Sequence, residues 1–342
     1  MISSAIQENT PVTSDFAAAR AEFRALISNC GVHQTNSRGK IELTGDDRVR
    51  WLNGMVTNNI RDLATGHGVY AFLLSPQGRI LGDMYAYNFG ESLIVDTDQG
   101  QITKIWDTFD HHIIMDDVNM KDVSKTTICI GIAGPKAASL LQAAGFSVEE
   151  LQPLQFKAIH WRDHDVTVVR GDNPSIASYE LWVLPENAEL MKAELVKAGA
   201  VPVDATTLEW LRIASGIPKY GTDIREKDLP QETDQERALN FNKGCYVGQE
   251  IVERIRSRGA VHRQFTGFVI DGPMPEAGAE LRLEEKKVAE ITSAASVPLS
   301  DGTKNIALGY VRREIAVLKK PLAGNGFTAS VTSLPFEEFL RI

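Results

Sequence analysis

Cysteine is scarce in this chain: three residues in 342, at Cys30, Cys129 and Cys245. So few, odd in number and far apart, they build neither a disulfide framework nor a paired-cysteine metal site, and each thiol has to be judged alone. Long apolar runs are missing too. No stretch approaches the roughly 20 uninterrupted apolar residues that a membrane helix requires. Excess positive charge is also absent, since 36 lysines and arginines face 45 aspartates and glutamates for a formal net charge of −9. That balance disfavours broad attraction to nucleic acid or anionic lipid. The amino terminus has no basic residue before Arg20 and no apolar run of signal-peptide length, so a cytoplasmic location is expected. The glycines Gly131 and Gly134 in "TTICIGIAGPKAASLLQAAGF" fit neither GxGxxG nor GxxxxGK[ST], which leaves a strand-to-helix turn rather than a phosphate loop. Seven histidines show no HExxH spacing. The adjacent His111 and His112 would diverge on a helix or a strand, so no metal site is expected.

What is present is ordinary globular composition, 43% hydrophobic and 24% charged, enough for a sizeable core and two or three domains. The first residues, 1–14, read as a disordered lead ending in a helix cap at Ser14 or Asp15. The helix "FAAARAEFRALISNC" follows, with Phe16, Ala19, Phe23 and Ile27 at helical spacing and Gly31 as its stop. A short strand over Ile41–Leu43 leads to an amphipathic helix from Asp46 or Asp47, with Val49, Leu52 and Val56 on one face. "GVYAFLLSPQGRILGDMYAYNFGESLIVDTD" reads as a three-stranded antiparallel meander with turns at "SPQG" and "NFGE". Its second strand, Arg79 to Tyr87, places Leu81, Asp83, Tyr85 and Tyr87 on one face. Two further strand-turn-helix units and the helix "ATTLEWLRIASG" come next. "REKDLPQETDQERALN" reads as a charged surface loop. Beyond Gly259 the texture changes to short strands and turns, a small all-β domain of barrel type over 260–342, within which "LRLEEKKVAE" reads as a solvated strand.

Few residues carry chemistry in this pattern. In "FNKGCYVGQEIVERI", Cys245 lies between Gly244 and Gly248, with Lys243 upstream and Gln249–Glu250 opening a helix. Lysine charge and a helix amino terminus both favour a thiolate, against the ordinary reading of a lone cysteine as a small buried residue. Cys129, inside an apolar run, takes that ordinary reading. Asp83 among tyrosines is the best acid/base candidate, because lost solvation raises a carboxyl group towards the range useful for proton transfer; the plain alternative is a hydrogen-bonded strand aspartate. Glu180, in the strand "SYELWV", offers a two-oxygen acceptor to a flat ligand with an amidine-like edge, or else faces water. Arg212, within an apolar helix face, pairs with a core carboxylate or points at a ligand. Arg254, Arg256, Arg258 and Arg263, beside His262, form either a solvated charge run or a cradle for an anionic tail.

In this order the segments resemble the glycine-cleavage T-protein (aminomethyltransferase) superfamily. "GDDRVRWLNGMVTNNI", "LLSPQGRILGDMYAY", "LEWLRIASGIPKYGTDI" and "VAEITSAASVPLSDGTKNIALGYV" are similar to successive family segments from about Phe16 to the end. Within the superfamily, "KGCYVGQE" (Lys243, Gly244, Cys245, Gly248, Gln249, Glu250) resembles the signature of a folate-binding branch tied to iron–sulfur cluster assembly and repair. The resemblance implies an α+β, multi-lobed, cloverleaf-like fold around a central channel, with two folate-binding lobes over 15–247 and a carboxy-terminal β-barrel domain over 260–342. It further implies tetrahydrofolate, or a one-carbon derivative, as the cofactor. Asp83, Glu180, Arg212 and Tyr220 would contact it, and Cys245 would be the working thiol. Partners would be iron–sulfur assembly proteins or client enzymes. Gly82 stands where true T-proteins carry the first aspartate of a pair, and Ala289 where the family usually has glycine. Two alternatives stay open: a folate-dependent aminomethyltransferase using Asp83, and a folate-sensing regulatory module presenting the Arg254–Arg263 stretch to RNA or protein.

Overall fold

The computed structural model describes residues 12–340 except 36, 149, 260, 300, 301 and 319; at 12–15, 258 and 339 the backbone alone is described. Most of the expected lead therefore lies outside the described residues. Helix α1 (Val12–Ser28) already covers Ser14 and Asp15, where a cap is expected. The chain continues through β1 (Gly31–Thr35), β2 (Arg38–Thr44), α2 (Arg48–Met55), β3 (Gly68–Leu74), β4 (Ile80–Asn88), β5 (Leu93–Asp98), α3 (Ile102–His112) and β6 (Asn119–Asp122). Next come β7 (Ile128–Ala133), α4 (Ala137–Ala143), β8 (Phe156–Trp161), β9 (His164–Arg170), β10 (Ser178–Val183), α5 (Ala188–Lys197), β11 (Val201–Pro202), α6 (Ala205–Ala214) and α7 (Gln249–Arg258). The last part holds β12 (Arg263–Asp271), β13 (Glu280–Leu283), β14 (Lys286–Leu299), β15 (Gly302–Arg312), α8 (Arg313–Ala316), β16 (Leu322–Ala323), β17 (Thr328–Thr332) and α9 (Glu337–Leu340).

Three β-layers result: a five-stranded sheet in the order β3-β4-β5-β2-β6, a six-stranded sheet β11-β1-β7-β10-β9-β8, and a closed barrel β12-β15-β14-β13-β16-β17. The fold is mixed α+β with a six-stranded barrel at its carboxy-terminal end. One face of the five-stranded sheet buries Ala71, Leu73, Met84 and Ala86 against Trp51, Leu52, Ile105 and Phe109 of α2 and α3. The six-stranded sheet buries Ile130, Ile132, Val168 and Leu181 against Leu140 and Leu141 of α4 and Met191 and Leu195 of α5. Strand alternation accounts for both cores, since one face of each strand meets the helices. Phe23, Leu26, Leu211 and Ile213 pack α1 and α6 on the barrel.

Several expectations are corrected. Gly31 opens β1 rather than closing the helix, with its would-be Cβ 2.5 Å from Leu26, so close packing and not a helix stop explains the glycine. The register between β3 and β4 shifts at Leu73/Leu74, with Leu73 opposite Gly82 and Leu74 opposite Ile80. Leu81 is the extra residue of this bulge and packs with the Met84–Ala86 core, so only Asp83, Tyr85 and Tyr87 keep the face expected for all four. The "REKDLPQETDQERALN" segment is no surface loop: Asp228 and Thr233 are fully buried, because Arg263 from β12 brings Asp228 and Glu232 inside as its partners. "LRLEEKKVAE" is a hairpin, with Glu284 and Glu285 in left-handed backbone conformation at its turn.

Candidate functional site

The face of β4 that carries Asp83 looks towards β10 of the other sheet, and what joins them is aromatic. Tyr70 of β3 lies 5.0 Å from Tyr85, Tyr85 lies 6.3 Å from Tyr87, and Tyr87 meets Trp182 edge-on at 5.3 Å between ring centroids. A carboxylate stands at each end of this row. The Tyr70 hydroxyl donates to Asp83 Oδ2 at 2.6 Å, and Trp182 Nε1 donates to Glu180 Oε2 at 2.9 Å. Two residues far apart in the chain are thus linked by one aromatic row, because the alternation of two separate strands aims both inward.

Charge is paired along the middle of the row. Asp96 of β5, fully buried, is bonded by Arg38 at 2.8 Å and Lys40 at 3.1 Å, both from β2. Burial pushes its carboxyl up, but the two cations outweigh that and hold it below the usual carboxylate range. Arg38 also feels Glu180, while Lys40 sits 4.2 Å over the Trp182 ring. Arg237 pairs with Asp172 and lies 4.4 Å over Tyr70, and Tyr85 donates to Asp172 at 3.1 Å. Asp83 has no ion-pair partner among the described residues. Its two oxygens accept only from neutral donors, Tyr70 and Gln101 Nε2 at 2.7 Å. Burial, and then the charge of Asp83, push the Tyr70 phenol well above its ordinary value, so it keeps its proton and donates. Cys129 lies against Glu180, and burial followed by that carboxylate raises its thiol.

Tyr220 closes the Asp83 end. Its hydroxyl donates to the carbonyl of the bulged Leu81 at 2.6 Å and accepts from Lys104 at 3.1 Å. Arg212 lies elsewhere. All five of its N–H groups are taken by Glu209, Ser293, the Ile217 carbonyl and the fully buried Asp223. It ties α6 to the loop after it and to β14. The predicted arginine cluster also divides: Arg263 turns into the Asp228–Glu232 pair, whereas Arg256, exposed on α7, lies 4.3 Å over the Phe241 ring.

The cysteine motif forms its own structure. Gly248 caps α7 at φ +83°, and an added Cβ would sit 2.5 Å from the Ser75 carbonyl oxygen, so the "SPQG" turn can press against it only if this residue is glycine. Gln249 begins the helix as expected, with Glu250 in its first turn. Gly244 leaves room for Arg61, whose nitrogen would lie 2.9 Å from a Cβ there. Lys243 does not reach for the thiol. Its buried ammonium caps the carboxy-terminal end of α2, donating to the Asn53 and Val56 carbonyls at 2.5 Å each. Cys245 itself is exposed, while Cys30 and Cys129 are buried. The next residue, Tyr246, packs with Tyr70 and Phe72, which puts the motif on the flank of the aromatic row.

The sequence matches the GCVT N-terminal domain family over residues 7–243. The chain belongs to this family. It is thereby a member of the glycine-cleavage T-protein superfamily. An aminomethyltransferase of Rippkaea orientalis is 27% identical over 339 residues, covering 94% of this chain and 90% of that protein. One from Nostoc sp. is 27% identical over 343 residues, covering 94% and 88%. In three dimensions the glycine cleavage system aminomethyltransferase T from Bartonella henselae superposes with a TM-score of 0.83 at 20% identity, over 94% of this chain and 90% of that one. That likeness establishes the fold.

Sequence reasoning missed Tyr70, Gln101, Arg38, Lys40, Asp96 and Trp182. A usable signal existed for the charged ones. Lys40 and Asp96 each stand beside apolar neighbours in their strands and face each other in register, an opposite-charge pair across two strands.

Proposed function

We propose that this chain binds a reduced folate of the tetrahydrofolate type along the Tyr70–Tyr85–Tyr87–Trp182 row and takes part in one-carbon transfer of the aminomethyltransferase kind. The single observation that carries this reading is the row itself, with a carboxylate at each end. A flat, electron-rich heterocycle gains from stacking on aromatic faces. Its amidine-like N–H edge finds a two-oxygen acceptor in Glu180, which Trp182 holds by one oxygen. Asp83, unneutralised by any described cation, then stands ready to accept from a second N–H group or a developing positive charge on the folate nitrogens. The family and the aminomethyltransferase relatives favour the same chemistry.

The test is calorimetric titration with tetrahydrofolate of the wild type and Glu180→Ala. We expect binding by the wild type and a loss of about tenfold or more in the variant, the scale of a lost charge-assisted hydrogen bond. Equal affinities would remove Glu180 from the site. Incubation with an aminomethyl-lipoyl carrier and tetrahydrofolate then tests turnover through ammonia release.

A second reading, support of iron–sulfur cluster assembly or repair, is favoured by one observation: Cys245 is exposed on a glycine-bracketed loop that leads into α7. Thiolate is a suitable iron ligand, but one cysteine cannot hold a cluster alone, and among the described residues no group of three or more His, Cys, Asp and Glu is placed to hold a metal ion. A partner must supply the remaining ligands. On this reading Cys245→Ser keeps folate binding and lowers the activity of cluster-dependent enzymes in cells. Unchanged enzyme activities would discard it.

A further inference from the structure

Strand β5 pairs with β4 from Asn88 back to Tyr85 and no further, so Asp83, two residues on towards the turn and on the same face as Tyr85, has lost its neighbouring strand on that side. Gln101, 6% exposed at the start of α3, takes that place. Its Oε1 accepts from the Asp83 backbone N–H at 3.1 Å, and its Nε2 donates to Asp83 Oδ1 at 2.7 Å. The backbone contact settles the amide orientation, because an N–H there needs the oxygen and leaves the amino group for the carboxylate. Thr97 donates to the Asp83 carbonyl at 2.7 Å and completes the hold. Gly82 makes room: a Cβ on it would meet Gln101 Oε1 at 3.1 Å and Ile105 at 3.4 Å.

We propose that Gln101 is a positioning residue for the reaction, clamping Asp83 at both backbone and carboxylate so that its free lone pairs are aimed along the aromatic row. This rests on the folate reading of the same site. With Gln101 on Oδ1 and Tyr70 on Oδ2, each oxygen retains one lone-pair direction for a ligand N–H. A carboxyl group held this way has only neutral donors among the described residues, unlike Asp96, whose charge Arg38 and Lys40 already answer. The glycine at position 82 and the glutamine at 101 therefore act as one device.

The discriminating variant is Gln101→Glu, which keeps the oxygen that accepts from the Asp83 N–H and replaces only the donor facing the carboxylate. Two carboxyl groups then share one proton at low pH and repel when both ionise. We expect wild-type tetrahydrofolate affinity to be flat between pH 5.5 and 8, and that of Gln101→Glu to fall by about tenfold across that range. Gln101→Leu should weaken binding at every pH. A flat profile with unchanged affinity in Gln101→Glu would overturn the positioning role while leaving the folate reading intact. No binding by the wild type would defeat the folate reading instead. In that case ligand-free crystal structures of wild type and Gln101→Leu still decide the clamp: an Asp83 carboxylate swung away from Tyr70 in the variant supports it, and an unmoved one refutes it.

Discussion

Lys40 and Trp182 belong to different sheets, yet the Lys40 ammonium lies 4.2 Å from the centroid of the Trp182 ring. The same ammonium bonds Asp96, and the same indole bonds Glu180. One contact therefore fixes the five-stranded sheet against the six-stranded sheet and, through the indole, sets the direction of a candidate ligand carboxylate. A cation over an aromatic face gains most when both are shielded from water, and Lys40 and Trp182 are both buried.

Asp96 carries the balance of this contact. Asp96→Asn leaves Arg38 and Lys40 without their shared counter-charge in a buried setting, a loss of about 3–5 kcal/mol. Because the folded carboxyl lies below its ordinary value, its stabilisation is present above about pH 4, the unfolded value, and is lost as the pH falls through the lower folded one. Chemical denaturation of wild type and variant at pH 7 and pH 3 checks both statements: the gap should narrow in acid. A constant gap would mean that Asp96 acts through its shape alone.

The three thiols should separate cleanly. Burial raises Cys30 to about 12 and pushes Cys129 up as well, whereas Cys245 is exposed. An aromatic disulfide reagent should titrate one thiol in the native protein and three after denaturation, and Cys245→Ser should abolish the native reaction. A native reaction that survives in Cys245→Ser would show that one of the inner cysteines is reached from solvent.

Alternation makes the meander, the turns and the shared face of Asp83, Tyr85 and Tyr87 legible in the sequence, because local hydrophobic period decides which way a strand residue points. The bulge at Leu81 was not legible: it depends on how β3 meets β4, which no single strand encodes. Nor was the burial of Asp228 and Glu232, whose partner Arg263 comes from the barrel. A charged segment looks solvated until the matching charge arrives from a distant element. Glu180 and Asp83 could be picked out as charges in apolar strands, but the aromatic row that links them emerges only when two sheets pack. The sequence makes Lys243 an electrostatic neighbour of Cys245, and tertiary context sends it to the end of α2 instead.

That location gives Lys243 a pH signature. Burial, and then Arg61, lower it from 10.5 to about 7. Between those values the unfolded chain holds a proton that the folded protein has released, so this residue makes stability rise with pH from about 7 to 10.5, by up to about 1.4 kcal/mol per pH unit. Lys243→Met removes the slope, and the wild type should gain on the variant as pH rises through this window. Parallel curves would mean that the α2 carbonyls keep the ammonium charged throughout.

Arg212 offers the sharpest separation of a structural from a ligand-binding role, because the family resemblance assigns it to the folate and its bonds point into the protein. Asp223, fully buried, accepts from Arg212 at 2.7 Å and the Lys219 backbone at 3.0 Å on one oxygen, and from Thr292 at 2.5 Å and Ser293 at 2.7 Å on the other. Among the described residues its charge is answered by Arg212 alone, and that guanidinium is held in turn by Glu209. Removing it with Arg212→Met strands a buried carboxylate and should cost about 3–5 kcal/mol. Arg212→Lys keeps one charge but loses the planar fork that reaches Glu209, Ser293 and Asp223 together, so about 1–3 kcal/mol should go, with tetrahydrofolate affinity within about threefold of wild type. A lysine variant of wild-type stability that binds tetrahydrofolate poorly would place the guanidinium on the ligand after all.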